Sequence, residues 1–303
     1  MSEGEPLVPL LVDGSGRDGT TLTMQLLATA PEIAFDRVYP YEQRYLSYLL
    51  HWARLPTRAG WDEASWNLDS LAHSRALEKL GVAGPLPWHE RSLINEEVDG
   101  QEFWQDAFAA AWASFSARAR RAVQARLGDP AQEVRFYAQK NADSWEMPFA
   151  SLPGARLVCL LRDPRDVWIS SVAFHRRRAA EGGTFLPVAL GAPEEEALAQ
   201  FLDDQRLRLR WLPEAEEELG APIVRYERLI ADLPEEAERL GDWLGVELDA
   251  GAVRRRRAEF SAHITAGDVE GSVGRWRREM APELAARFWA EMGAELAACG
   301  YEA

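Results

Sequence analysis

The chain has 303 residues, and 34 Lys and Arg against 49 Asp and Glu set its formal net charge at −15. That acidity argues against nucleic acid or an anionic membrane as a general partner, and the length suits one α/β core with insertions. Two cysteines, Cys159 and Cys299, exclude a disulfide framework and point to a reducing compartment.

The acidic start, Met1 to Pro6, lacks the pattern of a secretion signal, and no apolar run approaches a membrane span. A soluble, cytoplasmic protein is expected. The apolar stretch from Leu7 to Val12 predicts a strand over 7–12, and Leu22, Leu26 and Leu27 recur at the spacing of a helix's buried face. Between them lies Gly14-Ser15-Gly16-Arg17-Asp18-Gly19-Thr20-Thr21. A glycine-rich loop that opens a helix aims several backbone N–H groups at one point, with the positive end of the helix dipole behind them, so anions settle there. The spacing matches a Walker A loop except that Thr20 stands where a nucleoside triphosphatase carries lysine. Arg17 is then the cation inside the loop, and a triphosphate is not the obvious guest. An ordinary tight turn is the other reading of such a loop.

Tyr39, Tyr41, Tyr45, Tyr48, Trp52, Trp61, Trp66 and Trp88 crowd the region after the first helix. Rings in such numbers more often form core than pocket, although amphipathic rings suit a bulky, partly apolar ligand. The stretch from about 45 to 130 reads as a helical insertion. Inside it Phe103, Trp104, Phe108, Trp112 and Phe115 recur at helical spacing, and Gly128-Asp129-Pro130 is a stop signal. A strand is predicted over 133–138, where Val134, Phe136 and Ala138 alternate with polar neighbours.

Arg156 to Leu161 is a short apolar run bounded by charge, the pattern of a strand buried in a parallel sheet. Asp163 suits an N-cap with Pro164 at the first helical position. Arg162 would end the strand, and Ser170 would sit eight residues later on the helix. Both would converge on one anion at the sheet edge where open α/β sheets bind ligands; a solvated Arg162–Asp163 pair is the plainer possibility. A fourth strand is expected over 222–226, a helix from Pro234 through Leu240 and Leu244 to Gly245, and a last helix with Leu284, Phe288, Met292 and Leu296 on one stripe, closed by Gly300. Cations concentrate at His175 to Arg178, Arg254 to Arg257 and Arg275 to Arg278. Gly182-Gly183-Thr184 would hinge a lid.

Gly14-x-Gly16-Arg17-x-Gly19-Thr20-Thr21-Leu22, followed by Leu160-Leu161-Arg162-Asp163-Pro164-Arg165-Asp166-Val167-x-x-Ser170, resembles the two nucleotide signatures of sulfotransferases that use 3'-phosphoadenosine 5'-phosphosulfate. The resemblance implies a P-loop-like, three-layer α/β/α fold with a central, mostly parallel sheet and helical insertions. It implies one sulfotransferase domain over 1–303, with a helical insertion at about 45–130. By resemblance Gly16, Arg17, Asp18, Gly19, Thr20 and Thr21 cradle the 5'-phosphosulfate, while Arg162 and Ser170 bind the 3'-phosphate. Val224 to Leu229 resembles the element that supports the adenine, through Tyr226. Ser272-Val273-Gly274-Arg275-Trp276-Arg277 looks like the late loop that closes over the 3'-phosphate, giving Ser272, Gly274 and Arg275 as contacts.

Sulfuryl transfer needs charge neutralisation on the leaving phosphate, in-line placement of the acceptor and removal of its proton. Arg17 is the candidate for the first. Cytosolic relatives that sulfate phenols carry their base in a Lys-Thr-His element, but Lys140-Asn141-Ala142 stands here and Ala142 accepts no proton. Golgi-type relatives use a glutamate after the first helix, so the chain is similar to that type, as a soluble bacterial member with Glu42 as its expected base and Asp36 in reserve. Lys140 would touch the transferring sulfuryl. No His or Cys cluster has ligand spacing, so no metal is expected. The acceptor would be a hydroxyl of a small molecule, carbohydrate or lipid-like compound, and the chain is open to homodimer formation. A P-loop kinase of a small metabolite and a non-catalytic module for 3'-phosphoadenosine nucleotides are the alternatives.

Overall fold

A computed structural model describes residues 5–54, 100–141, 152, 154–180, 194–256 and 270–303. Its strands are β1 (Val8–Asp13), β2 (Ile33–Phe35), β3 (Phe136–Asn141), β4 (Arg156–Leu161) and β5 (Ile223–Arg225), ordered β2-β3-β1-β4-β5 in one sheet. β2 runs parallel to β3 with Ile33 opposite Phe136, and β4 runs parallel to β5 with Cys159 opposite Ile223. This is the expected α/β architecture on a mostly parallel central sheet. In β1 and β4 the residues Leu10 to Val12 and Leu157 to Leu161 are all buried, as strands covered on both faces must be. β2 has no counterpart in the sequence reading, because three residues are too few to show a period.

The chain divides into two compact units. The first comprises Met1–Leu10, Pro31–Gln139 and Asp143–Ala155. In it α2 (Tyr45–Arg54) packs against α3 (Gly100–Leu127). Leu46, Leu50 and Ala53 are buried, as are Trp104, Phe108 and Trp112 at the predicted helical spacing. The rings of Phe108 and Trp112 stack at 6.2 Å, and Phe115 meets Tyr137 of β3 edge-on at 5.0 Å. Two polar side chains buried by this packing are satisfied: Trp112 Nε1 donates to Leu7 O at 2.9 Å, while Gln139 accepts from the Leu46 N–H at 3.0 Å and donates to Ser47 Oγ at 2.8 Å. Gln139 thus caps the first turn of α2, where backbone donors lack helical partners.

The second unit comprises Leu11–Ala30, Lys140–Ala142 and Arg156–Ala303. It contains α1 (Thr20–Leu27), α4 (Pro164–Ala180), α5 (Glu194–Leu219), α6 (Tyr226–Ala231), α7 (Leu233–Leu244), α8 (Ala250–Arg256), a 3-10 turn at Glu270–Ser272, α9 (Trp276–Glu279) and α10 (Pro282–Ala298). Asp163 caps α4 as predicted, accepting from the Arg165 N–H at 3.0 Å. In α10 Phe288, Met292 and Leu296 are buried, but Leu284 is only half-buried and Met292 leaves helical geometry (φ −142°, ψ 23°), so the helix kinks in mid-stripe. Among the described residues no helix is long and apolar enough to cross a membrane.

Candidate active site

Three segments of the second unit meet around Arg17. In the first, the loop between β1 and α1, Gly16, Arg17 and Gly19 all have left-handed backbones, with φ of 82°, 60° and 106°. A Cβ at Gly14 would lie 2.4 Å from an Asp18 carboxylate oxygen, and one at Gly19 would lie 2.8 Å from the Tyr226 ring. Only a residue without a side chain fits either place. The Asp18 carboxylate is buried and accepts the Ser15 N–H at 2.5 Å, so it shapes the loop from within. Gly19 brings no side chain to the first turn of α1. Thr20 and Thr21 begin that helix, where backbone donors and the helix dipole favour an anion. Lys140, at the end of β3, donates to Thr21 Oγ1 at 2.8 Å.

The second segment follows β4. Arg162 donates through one terminal nitrogen to Arg17 O at 2.5 Å and through the other to Ser272 O at 2.7 Å, and its guanidinium lies 4.2 Å over the Tyr226 ring. Its buried Nε has no hydrogen-bond partner among the described residues. Ser170, buried in the second turn of α4, accepts from Arg17 Nε at 3.2 Å, and the Arg17 guanidinium sits 4.6 Å over Phe174 one turn further on. The residues expected to grip opposite ends of one nucleotide are therefore brought together.

The third segment is the late loop. Tyr226, at the first position of α6, shares a 2.7 Å hydrogen bond with Ser272 Oγ. Asp166 of α4 accepts the N–H groups of Gly274 at 2.7 Å and Trp276 at 2.8 Å. Arg165 is fully buried, paired with Asp163 at 2.9 Å and lying 3.7 Å over the Trp276 ring. Arg275 is buried and donates to Glu279 at 2.6 Å. Every charged residue from Arg162 to Asp166 thus holds either the glycine loop, the late loop or its own helix cap. Asp166 stands within the second motif without an expected role. Its place two residues into α4 was the available clue, since a carboxylate there sits at the positive end of the dipole.

Burial, and then the charges of Arg162 and Arg177, pull Arg17 down to about 10, against the opposing pull of Tyr226 and Asp18. Arg17 remains a cation at neutral pH, in surroundings that would favour a neighbouring anion. Burial likewise lowers His175, with Arg17 contributing, and raises Asp166 against the effect of its two amide donors.

The proposed bases belong to the first unit. Glu42 is exposed on the irregular chain before α2. Asp36 follows β2, half-buried, and its Oδ2 is buried without a hydrogen-bond partner among the described residues. Tyr41 is buried, whereas Tyr45 and Trp52 are 41% and 54% exposed. Trp61, Trp66, Trp88, Ala142, Arg257 and Gly182 to Thr184 lie outside the described residues.

The model of the sulfotransferase family matches residues 9–250. The chain belongs to the sulfotransferase family. It is therefore an enzyme of sulfuryl transfer, and the family match takes in the glycine loop, the Arg162–Ser170 segment and Tyr226, while Ser272 to Arg277 fall beyond it. Among solved structures this sulfotransferase is similar to the sulfotransferase domain from the curacin biosynthetic pathway, at 16% identity over 98% of this chain and 99% of that one, with a TM-score of 0.49. It is also similar to sulfotransferase STF9 from Mycobacterium avium (18% identity, 99% and 79% covered, TM-score 0.46) and to retinol dehydratase in complex with androsterone and inactive cofactor PAP (16%, 96% and 82%, 0.44). No curated protein matches it.

Proposed function

We propose that this sulfotransferase takes its sulfuryl group from 3'-phosphoadenosine 5'-phosphosulfate and delivers it to a hydroxyl of a small-molecule, carbohydrate or lipid-like acceptor. The observation that carries the reading is the meeting of Arg17 with both ends of the second signature: its Nε reaches Ser170 at 3.2 Å while its carbonyl accepts from Arg162 at 2.5 Å. The donor set suits a doubly phosphorylated nucleotide. Buried Arg162 keeps one donor without a partner among the described residues, and Gly19 leaves room beside Tyr226 that a Cβ would fill.

The donor nucleotide supplies an activated sulfuryl group on a phosphate leaving group. The backbone of Gly16 to Thr21 and the start of α1 would hold the 5' end; Asp18 would contribute through its backbone, because its carboxylate repels an anion and turns one oxygen to the Ser15 N–H. Arg162, Ser170, Ser272, Gly274 and Arg275 would hold the 3'-phosphate, and Tyr226 the adenine. Arg17 and Lys140 would neutralise charge as it grows on the leaving oxygen, help that counts because it is larger in the transition state than in the ground state. Glu42 would take the acceptor proton. A second reading gives that step to Asp36, whose buried Oδ2 has no hydrogen-bond partner among the described residues.

We read residues 1–303 as one sulfotransferase domain with a helical insertion at about 45–130, a reading supported by a family match that runs through ranges of both compact units. The enzyme would work in the cytoplasm as a soluble protein, a setting that suits two buried free thiols. Calorimetry with adenosine 3',5'-bisphosphate, followed by transfer assays with radiolabelled donor in the presence of EDTA, tests the whole. Binding and metal-independent label transfer are expected. Absence of heat would sink the nucleotide assignment, transfer lost in EDTA would mean that a metal takes part, and binding without transfer to any hydroxyl compound would overturn the acceptor class.

A further inference from the structure

Arg208 belongs to no motif, yet it sits where the two signature segments begin. It projects from α5 beside a stripe of buried residues, Leu198, Leu202, Gln205, Leu209 and Leu212, that packs the helix. Only 12% of its side chain is exposed. Its guanidinium forms a salt bridge with the Asp13 carboxylate and donates to Asp13 O at 3.2 Å and Leu160 O at 2.8 Å. Asp13 is the last residue of β1, immediately before Gly14, and Leu160 lies two residues before Arg162. β1 and β4 are neighbours in the sheet. Just past these carbonyls the two strands end, β1 at Asp13 before the glycine loop and β4 at Leu161 before Arg162.

A buried ion pair is a poor way to gain stability, since an apolar residue of similar size packs such a seam as well or better. Two features of this one have a use at an anion site. A rigid fork that bonds two adjacent strand ends sets the spacing between the loop and Arg162, on which the 2.5 Å contact from Arg162 to Arg17 O depends. A cation behind the loop also offsets carboxylates that would otherwise repel phosphate. Burial lowers the hold of Arg208 on its proton, and the charges of Asp13 and Asp18 more than restore it.

We infer that Arg208 is a positioning residue for the nucleotide: it clips the ends of β1 and β4 so that the phosphate loop and Arg162 are preformed, and it cancels the charge of Asp13 at the site's border. The inference rests on the nucleotide reading above. It is tested by calorimetry with adenosine 3',5'-bisphosphate on the full chain, with melting temperature measured alongside. The double variant Asp13→Asn/Arg208→Met removes both buried charges together, and Arg208→Lys keeps the charge but loses the fork. Arg156→Met is the matched control: Arg156 stands at the other end of β4, bonded to Trp243 O at 2.9 Å.

The expected result is a Kd raised roughly tenfold in the double variant and about threefold in Arg208→Lys, with Arg156→Met within about twofold of wild type even though its melting temperature falls. If the double variant does not fold, Arg208→Lys decides. A folded Arg208 variant with wild-type Kd, or an Arg156→Met Kd that moves in step with the others, overturns the inference alone. Wild-type protein that binds no bisphosphate overturns the nucleotide reading itself.

Discussion

The Gly14–Thr21 loop and the Tyr39–Trp52 segment are both proposed to touch a substrate, and they are held in opposite ways. In the loop Arg17 is left-handed and bonded at its carbonyl and its Nε, and Gly19 is left-handed where a Cβ would meet the Tyr226 ring; Tyr41 shares the left-handed backbone, with φ 66°. In the aromatic segment the rings of Phe35, Tyr39 and Tyr41 meet edge-on at 5.9 Å, and Glu42, Tyr45 and Trp52 stand exposed. An anion site depends on donors fixed in space, whereas contacts between rings tolerate many arrangements. The first is therefore expected to be the part that one substitution breaks, and the second is proposed as the part that sets selectivity.

The sharpest way to divide the two regions is through the base. Glu42→Gln is expected to lower kcat by roughly a hundredfold or more while the Kd of adenosine 3',5'-bisphosphate is unchanged. The same result from Asp36→Asn, with Glu42→Gln near wild type, would move the role to the residue after β2. Next, Arg162→Ala should weaken bisphosphate binding by about a hundredfold, since it deletes a buried cation whose charged hydrogen bonds are worth about 1.5–3 kcal/mol each. Wild-type affinity in a folded variant would remove Arg162 from the site.

Trp52→Ala should raise the KM of the acceptor severalfold, or by about 1 kcal/mol, and leave the donor KM alone, because a half-exposed ring forfeits only part of its burial. A changed donor KM would contradict the division of labour between the regions. The smallest expected effect is on His175, whose folded form binds a proton less readily than the ordinary imidazole at 6.5. The unfolded chain then holds more protons as pH falls through 6.5, and the contribution of His175 to stability is lost on that acid side and present above it. Bisphosphate binding should raise the His175 value by offsetting the charge of Arg17. NMR titration of the imidazole reads this directly, and a downward shift would place the anion elsewhere.

Much of the candidate phosphate site was legible because its parts are local. A left-handed glycine loop, an Asp-Pro helix start and a serine two turns along α4 each leave a mark within a few residues. The aromatic region was legible only as crowding, and its rings divide between buried Tyr41 and exposed Trp52 for reasons of packing that no window of sequence carries. Gln139 capping α2 and Asp166 holding the late loop were likewise out of reach, since their partners lie 93 and 108 residues away along the chain.

By itself, then, the order of residues determined which stretches become strand, loop and helix around β1 and β4, and which side chains are proposed to bear the charge for a bisphosphate. Folding decided the rest. It brought Arg17 against Ser170 across 153 residues and Arg208 against Asp13 across 195. Those contacts depend on sheet order and on where a helix lies across it. Long-range packing of this kind is selected by the burial of the whole core, whereas local hydrogen bonds and backbone preferences act within a few residues of their source.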